Sequence, residues 1–267
     1  MRLRKMIALC AVTAGLFPSP APASIMQPSG PWNLDYGETQ CIAARNYGEG
    51  AKPTIFALVP SIIGESYDLL VSGAWPGPQY ADESSGSVSF GRSSFPSWSL
   101  HYTGPEPGSS IYRYTISADQ MAEARSAGTL ALRRSDGRRF DFSLGNMAEL
   151  LDGLQKCTAD LQRYWNFHDP SLRSSARGDV RTIFKPDDYP DEAMSRQQQG
   201  SVQYVLLINE KGSVAGCHVI RPSGVPALDA MGCEVIVKRA KFVPATDNSG
   251  KPVRDTVTTP PVSWRIK

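Results

Sequence analysis

Histidine is scarce in this sequence, with three in 267 residues, and none of His101, His168 or His218 lies in a G-x-S-x-G or H-E-x-x-H setting. Nucleophilic chemistry needs a nucleophile, a base and an orienting partner within reach, so this shortage argues against an enzyme. Cys-x-x-Cys spacing does not occur. Cys217 and His218, adjacent on a strand, would face opposite ways, so no metal site is expected. Glycine-rich phosphate loops are missing as well, Gly104 to Gly108 being a Pro/Gly turn, and no cofactor is expected. Charge of one sign is lacking too. Residues 1–23 hold Arg2, Arg4 and Lys5 of the 28 basic residues and none of the 26 acidic ones, so the remainder carries a net charge of −1. That balance leaves no electrostatic footprint for nucleic acid.

A long apolar run is also missing at the N-terminus. Met6 to Phe17 is an apolar stretch of twelve residues, whereas a spanning helix needs ~20. A basic start, Met1 to Lys5, precedes it, prolines 18, 20 and 22 follow it, and Ala21-Pro22-Ala23 before Ser24 has the small-residue form of a cleavage site. The pattern predicts a signal peptide over 1–23 and an exported chain. A membrane enters only if this segment stays uncleaved. Cys10 comes early in the run without the small residue that a lipoprotein signal requires, so no lipid anchor is expected.

What is present fits an oxidising destination. Four cysteines follow the signal segment, Cys41, Cys157, Cys217 and Cys233, and an even number in an exported chain suggests disulfides. Three pairings are open. Cys41 with Cys157 and Cys217 with Cys233 is favoured because each pair then lies inside one expected domain.

The first domain, 31–165, reads as β-rich and closed by a helix, with no task legible. Apolar alternation over Pro31 to Tyr47, Thr54 to Val59 and Tyr67 to Val71 suggests strands between Gly and Pro breaks. Thr129 to Arg134 and Arg138 to Leu144 flank Ser135-Asp136-Gly137, a hairpin signal. Ser117 with Gln120 is a capping-box pattern before a short helix that Gly128 could end in a left-handed conformation. Asn146 with Glu149 repeats the pattern, and Met147, Leu150, Leu151, Leu154, Cys157, Leu161 and Trp165 recur at helical spacing. Residues 166–182 have no sustained period and read as a linker. His101 sits in a Ser/Tyr-rich strand, and a deep pocket around it with a carboxylate would be the sign of an enzymatic or small-ligand-binding role for this domain.

From 183 to 267 the elements read β-β-α-β. Val202 to Ile208 and Val214 to Ile220 are strands about a turn at Asn209 to Gly212, Ala227 to Lys238 a helix, and Arg254 to Ile266 a last strand. Tyr189-Pro190, Gly200, Gly212, Ser223-Gly224, Leu228-Asp229, Phe242-Val243-Pro244 and the closing Val262-Ser263-Trp264 occur in an order that resembles the C-terminal domain of the TonB family. The chain as a whole is thus expected to be α+β. The resemblance implies a periplasmic module that binds an extended peptide of an outer-membrane receptor, or another periplasmic protein, by adding it to a sheet edge. Pro260 and Pro261 cannot donate to a ladder and place the last strand at the sheet margin. Val253, Arg254, Thr256, Val257, Thr258, Val262 and Trp264 are the residues expected to carry the contact. A membrane-anchored energy transducer on the periplasmic side of the inner membrane is the alternative. The long Pro-rich spacer of such a transducer is missing, a folded domain standing in its place.

Overall fold

The computed structural model describes residues 24–266; the expected signal segment, 1–23, lies outside the described residues. The N-terminal unit contains β1 Asn33–Tyr36, β2 Cys41–Tyr47, β3 Thr54–Pro60, β4 Ser66–Gly73, β5 Asp82–Phe90, β6 Ser93–Thr103, β7 Ser110–Ser117, α1 Ala118–Ala122, β8 Thr129–Arg134, β9 Arg139–Ser143 and α2 Met147–Tyr164. The strands form one antiparallel nine-stranded sheet in the order β1-β2-β3-β4-β7-β6-β5-β8-β9. Its two ends meet. Met26 bridges Phe142 of β9 while Pro28 bridges Tyr47 of β2, so residues 26–29 run between β9 at one end of the sheet and β2, next to β1, at the other, and curl the sheet shut. Inside, Phe142 stacks on Phe56 at 4.9 Å and meets Tyr47 edge-on at 4.7 Å.

The helix α2 lays Leu150, Leu151, Leu154, Cys157 and Leu161 into this core, the stripe that the helical spacing predicts. Cys157 on that face is bonded to Cys41. At the hairpin, Gly137 takes φ +88° and Arg134 N–H donates to Arg138 O at 2.9 Å, a three-residue loop in which glycine supplies the left-handed position.

Three local expectations need correction. The reciprocal bonds of Ser117 and Gln120 do form, but the helix tightens into a 3-10 turn over Glu123–Ser126 and ends as Ala127 turns extended, with Gly128 outside the left-handed region. Asn146 makes no side-chain bond to the helix backbone; its amide instead meets Glu149 Oε2 at 3.4 Å. The expected linker is not loose. Ser174 bridges Thr246, Arg177 bridges Val243, and Ala176 and Val180 are buried in the C-terminal core. These bonds come from main chain, which a polar, aperiodic stretch does not advertise.

The C-terminal unit comprises α3 Asp191–Ser195, β10 Gly200–Ile208, β11 Val214–Arg221, α4 Pro226–Arg239, β12 Ala245–Thr246, β13 Pro252–Val253, β14 Asp255–Thr258 and β15 Val262–Trp264. The strand β10 is central, with β11 on one side and β14 and β15 on the other. Tyr204, Leu206 and Ile208 face the core shared with α4, where the Cys217–Cys233 disulfide ties β11 to the helix. Val205 and Leu207, on the opposite face, are buried in the core of the N-terminal unit. Both faces of β10 are therefore covered, which explains the unbroken apolar run from Tyr204 to Ile208.

Candidate functional site

The final segment runs antiparallel along one side of β10. Val205 to Ile208 pair with Thr258 to Asp255, and Gly200 to Val202 pair with Trp264 to Val262. Pro260 and Pro261 lie between the two stretches, where the register shifts. Among the described residues no further strand pairs with β14 or β15, so this is a sheet margin. Thr259 N–H donates to Tyr204 O at 2.9 Å, and Thr259 Oγ1 accepts from Tyr204 N at 3.1 Å. Alternation along an antiparallel pair then aims the main chain of Asp255 and Val257 at β10 and that of Arg254, Thr256 and Thr258 outward.

Much of this outward edge is covered from within. The Arg254 carbonyl accepts from Asn166 Nδ2 at 2.7 Å. Thr256 N–H donates to Asp255 Oδ1 at 2.8 Å, and Asp255 Oδ2 accepts from Ala176 N at 2.7 Å. Burial pushes the Asp255 carboxyl above the usual range, while the two amides pull it back. Past this point the cover ends: Thr258 is exposed, with its main chain aimed away from β10.

The sequence-predicted contact residues divide into two groups. Val253 pairs with Ala245. Arg254, 3.2 Å from Glu210 of its own unit, lies over the Tyr164 ring of α2 at 4.1 Å. Thr256 and Val257 are half-buried. Val262 and Trp264 turn their side chains into the core, where Trp264 meets Phe184 and Tyr189 edge-on at 5.3 Å and 5.5 Å. Any contact made by these two is through main chain. Thr258 is thus the most accessible member of the set.

The remaining motif residues build the frame. Tyr189 donates its hydroxyl to Gln198 O at 2.5 Å, and Pro190 opens α3. Gly200 stands opposite Trp264. Gly212, in the hairpin turn, accepts from Phe242 N at 2.9 Å; Pro244 follows Phe242 towards β12. Ser223 N–H donates to Asp229 Oδ1 at 2.9 Å, Gly224 takes φ +83°, and Leu228 is fully buried. Two features escaped the sequence reading. Asp188, one of four acids around Tyr189-Pro190, takes both arms of Arg239 at 2.5 Å and 2.7 Å, and that guanidinium holds its carboxyl below the usual range. Gly232 lies so near Tyr204 that a Cβ there would sit 1.8 Å from the hydroxyl. A glycine in mid-helix costs about 1 kcal/mol against alanine and is a signal of close packing.

The histidines do not assemble a catalytic group. His101 stacks flat on Tyr112 at 4.0 Å, and Asp82, opposite it on β5, is engaged by buried Arg134 at 2.7 Å. No cluster of three or more His, Cys, Asp or Glu suited to a metal occurs among the described residues. No described helix is long and apolar enough to cross a membrane. No curated protein matches the chain. Residues 185–266 match the family described as Gram-negative bacterial TonB protein C-terminal, a non-enzymatic family of energy transduction and protein interaction in the cell envelope. The β-β-α-β unit with its margin at Thr258 is the part of the chain that matches the TonB-type C-terminal domain.

Proposed function

We propose that this is a periplasmic protein whose C-terminal domain captures an extended segment of an envelope protein, such as an outer-membrane receptor peptide, by pairing it along β14. The observation that carries this reading is the outward main chain of exposed Thr258 at a margin with no further strand among the described residues. An added strand takes its affinity from main-chain hydrogen bonds and tolerates varied side chains, which suits a site whose large side chains, Val262 and Trp264, point inward. Asn166 and the Asp255 carboxylate limit the open stretch, and the two prolines bar a long ladder beyond it. The partner strand is therefore short. The N-terminal unit holds the module from behind by burying Val205 and Leu207, so the sheet face is taken and the margin remains.

Site-specific photocrosslinking in intact envelopes tests this. A photoreactive residue at position 258 is expected to trap a discrete envelope protein, and one at Ser249 in the β12–β13 turn is not. Equal labelling at both positions, or none at 258, would remove the edge as the binding surface. Fractionation of the same cells separates the two forms of the protein: a soluble species beginning at Ser24 fits the periplasmic reading, and a full-length membrane species fits the anchored transducer.

A further inference from the structure

A cavity of about 310 Å³ lies between the two units, with Gln40, Asp68, Arg113 and Thr115 on the N-terminal wall and Cys217 and His218 on the C-terminal wall. Binding sites concentrate at domain junctions, and this volume stands at the small end of the ~300–1,000 Å³ range of ligand pockets. The polar groups on its walls are incompletely matched. Arg113 Nη1 lies 3.9 Å from Asp68 Oδ2, beyond hydrogen-bond range, while Asp68 Oδ1 accepts from Thr115 Oγ1 at 2.6 Å. His218 Nε2 is buried behind this wall without a hydrogen-bond partner in the chain.

The chemistry of the walls defines the guest. Arg113 carries five donors in a planar fork suited to a carboxylate. Glu83 and Asp229 also feel its charge, and burial holds both above the usual carboxylate range. Asp68 is an acceptor on the same cavity, fit for an ammonium or hydroxyl. A simple anion would meet this carboxylate badly, and a simple cation would meet Arg113 badly.

We propose that this interdomain cavity is a binding site for a small zwitterion of the amino-acid or dipeptide class, its carboxylate on Arg113 and its ammonium on Asp68. The site is separate from the β14 margin, and because its walls belong to both units, an occupant bonds one to the other.

Glycylglycine titrated into the oxidised protein is a direct test, followed by calorimetry and by ¹H–¹⁵N spectra, with acetate and methylammonium as one-ended controls. Saturable shifts at the Thr115 and His218 amides are expected, with acetate and methylammonium each about tenfold weaker, a difference of ~1.4 kcal/mol. Arg113→Ala should weaken glycylglycine by a similar factor while its spectrum stays dispersed; should that variant not fold, Asp68→Asn serves in its place. No saturable shift up to millimolar glycylglycine, acetate binding as tightly as the dipeptide, or undiminished binding by the substituted protein would each overturn the proposal.

Discussion

The nine-stranded sheet is shut by residues 26–29 bridging β9 and β2, whereas the C-terminal sheet leaves a margin that ends at Thr258. Closure removes the row of unpaired amides that makes an edge an aggregation hazard. The smaller unit keeps such a row and shortens it, with Asn166 on Arg254, the Asp255 carboxylate on Thr256, and two prolines beyond. A protein with one closed and one partly open sheet divides its labour. The closed unit supplies a rigid back for Val205 and Leu207, and the open one keeps the surface that can meet a partner.

The disulfides give the sharpest way to separate the units. Cys41–Cys157 spans a sequence separation of 116 and Cys217–Cys233 one of 16. On the chain-entropy account, loops of about these sizes constrain the unfolded chain by ~4.7 and ~3 kcal/mol. Replacing both cysteines of the first pair by serine should cost more stability in guanidinium denaturation than replacing both of the second. The reverse order would show that the small unit, rather than the closed one, depends more on its cross-link.

Asp188→Asn weakens the frame of the open unit alone. It removes the charge that Arg239 grips with both arms and one of the two oxygens that accept from Arg239 and from Lys185 N. The expected loss is about 1–2 kcal/mol near neutral pH, reduced by the partial exposure of Arg239. The sign with pH follows from the carboxyl being held low. Its contribution is complete above the ordinary aspartate value of ~3.9 and is lost as pH falls through the lower folded value. The gap between the native protein and the variant should therefore close on acidification, and a gap that is constant from neutral pH to pH 3 would refute the ion pair's part in it.

The elements most legible in the sequence were those whose residues repeat a period or occupy a turn: the α2 stripe, the Asp136-Gly137 hairpin, and the β10–β11 hairpin. The strands β5 and β6 were hard to read because serines, Gly86 and Pro96 give no β signal, and tertiary pairing with β8 and β7 makes them strands. The margin was foreseen from Pro260 and Pro261, but which amides face outward was not. That depends on the ladder phase set by Thr259 and Tyr204, and on Asn166 and Ala176, which are distant in sequence. The burial of Trp264 and the clasp of Asp188 on Arg239 are likewise products of long-range packing.

The ladder phase makes a paired prediction at the margin. Thr258→Pro removes an amide aimed outward, so the fold should persist while partner affinity falls about fivefold, the ~1 kcal/mol worth of one hydrogen bond. Val257→Pro removes an amide aimed at β10 and should cost stability first. Thermal melts and binding to the crosslinked partner distinguish them. If Thr258→Pro unfolds the domain and Val257→Pro does not, the phase is wrong by one residue.

The smallest expected effect lies where the two units meet. Burial lowers the pKa of His218, against the Thr39 main chain, which favours the proton on its ring; Arg113 and Asp68 line the same cavity. With the folded value below the ordinary ~6.5, the unfolded chain takes up the proton first, so stability falls as pH drops from about 7 towards the folded value and levels beyond it. His218→Gln keeps a polar group there and cannot titrate. Its stability should differ little from the native protein at pH 8 and decline less steeply between pH 7 and 5. Parallel curves for the two proteins would mean that the ring is hydrated in solution, and the contact between the closed and open units would then be looser than the burial of Val205 and Leu207 implies.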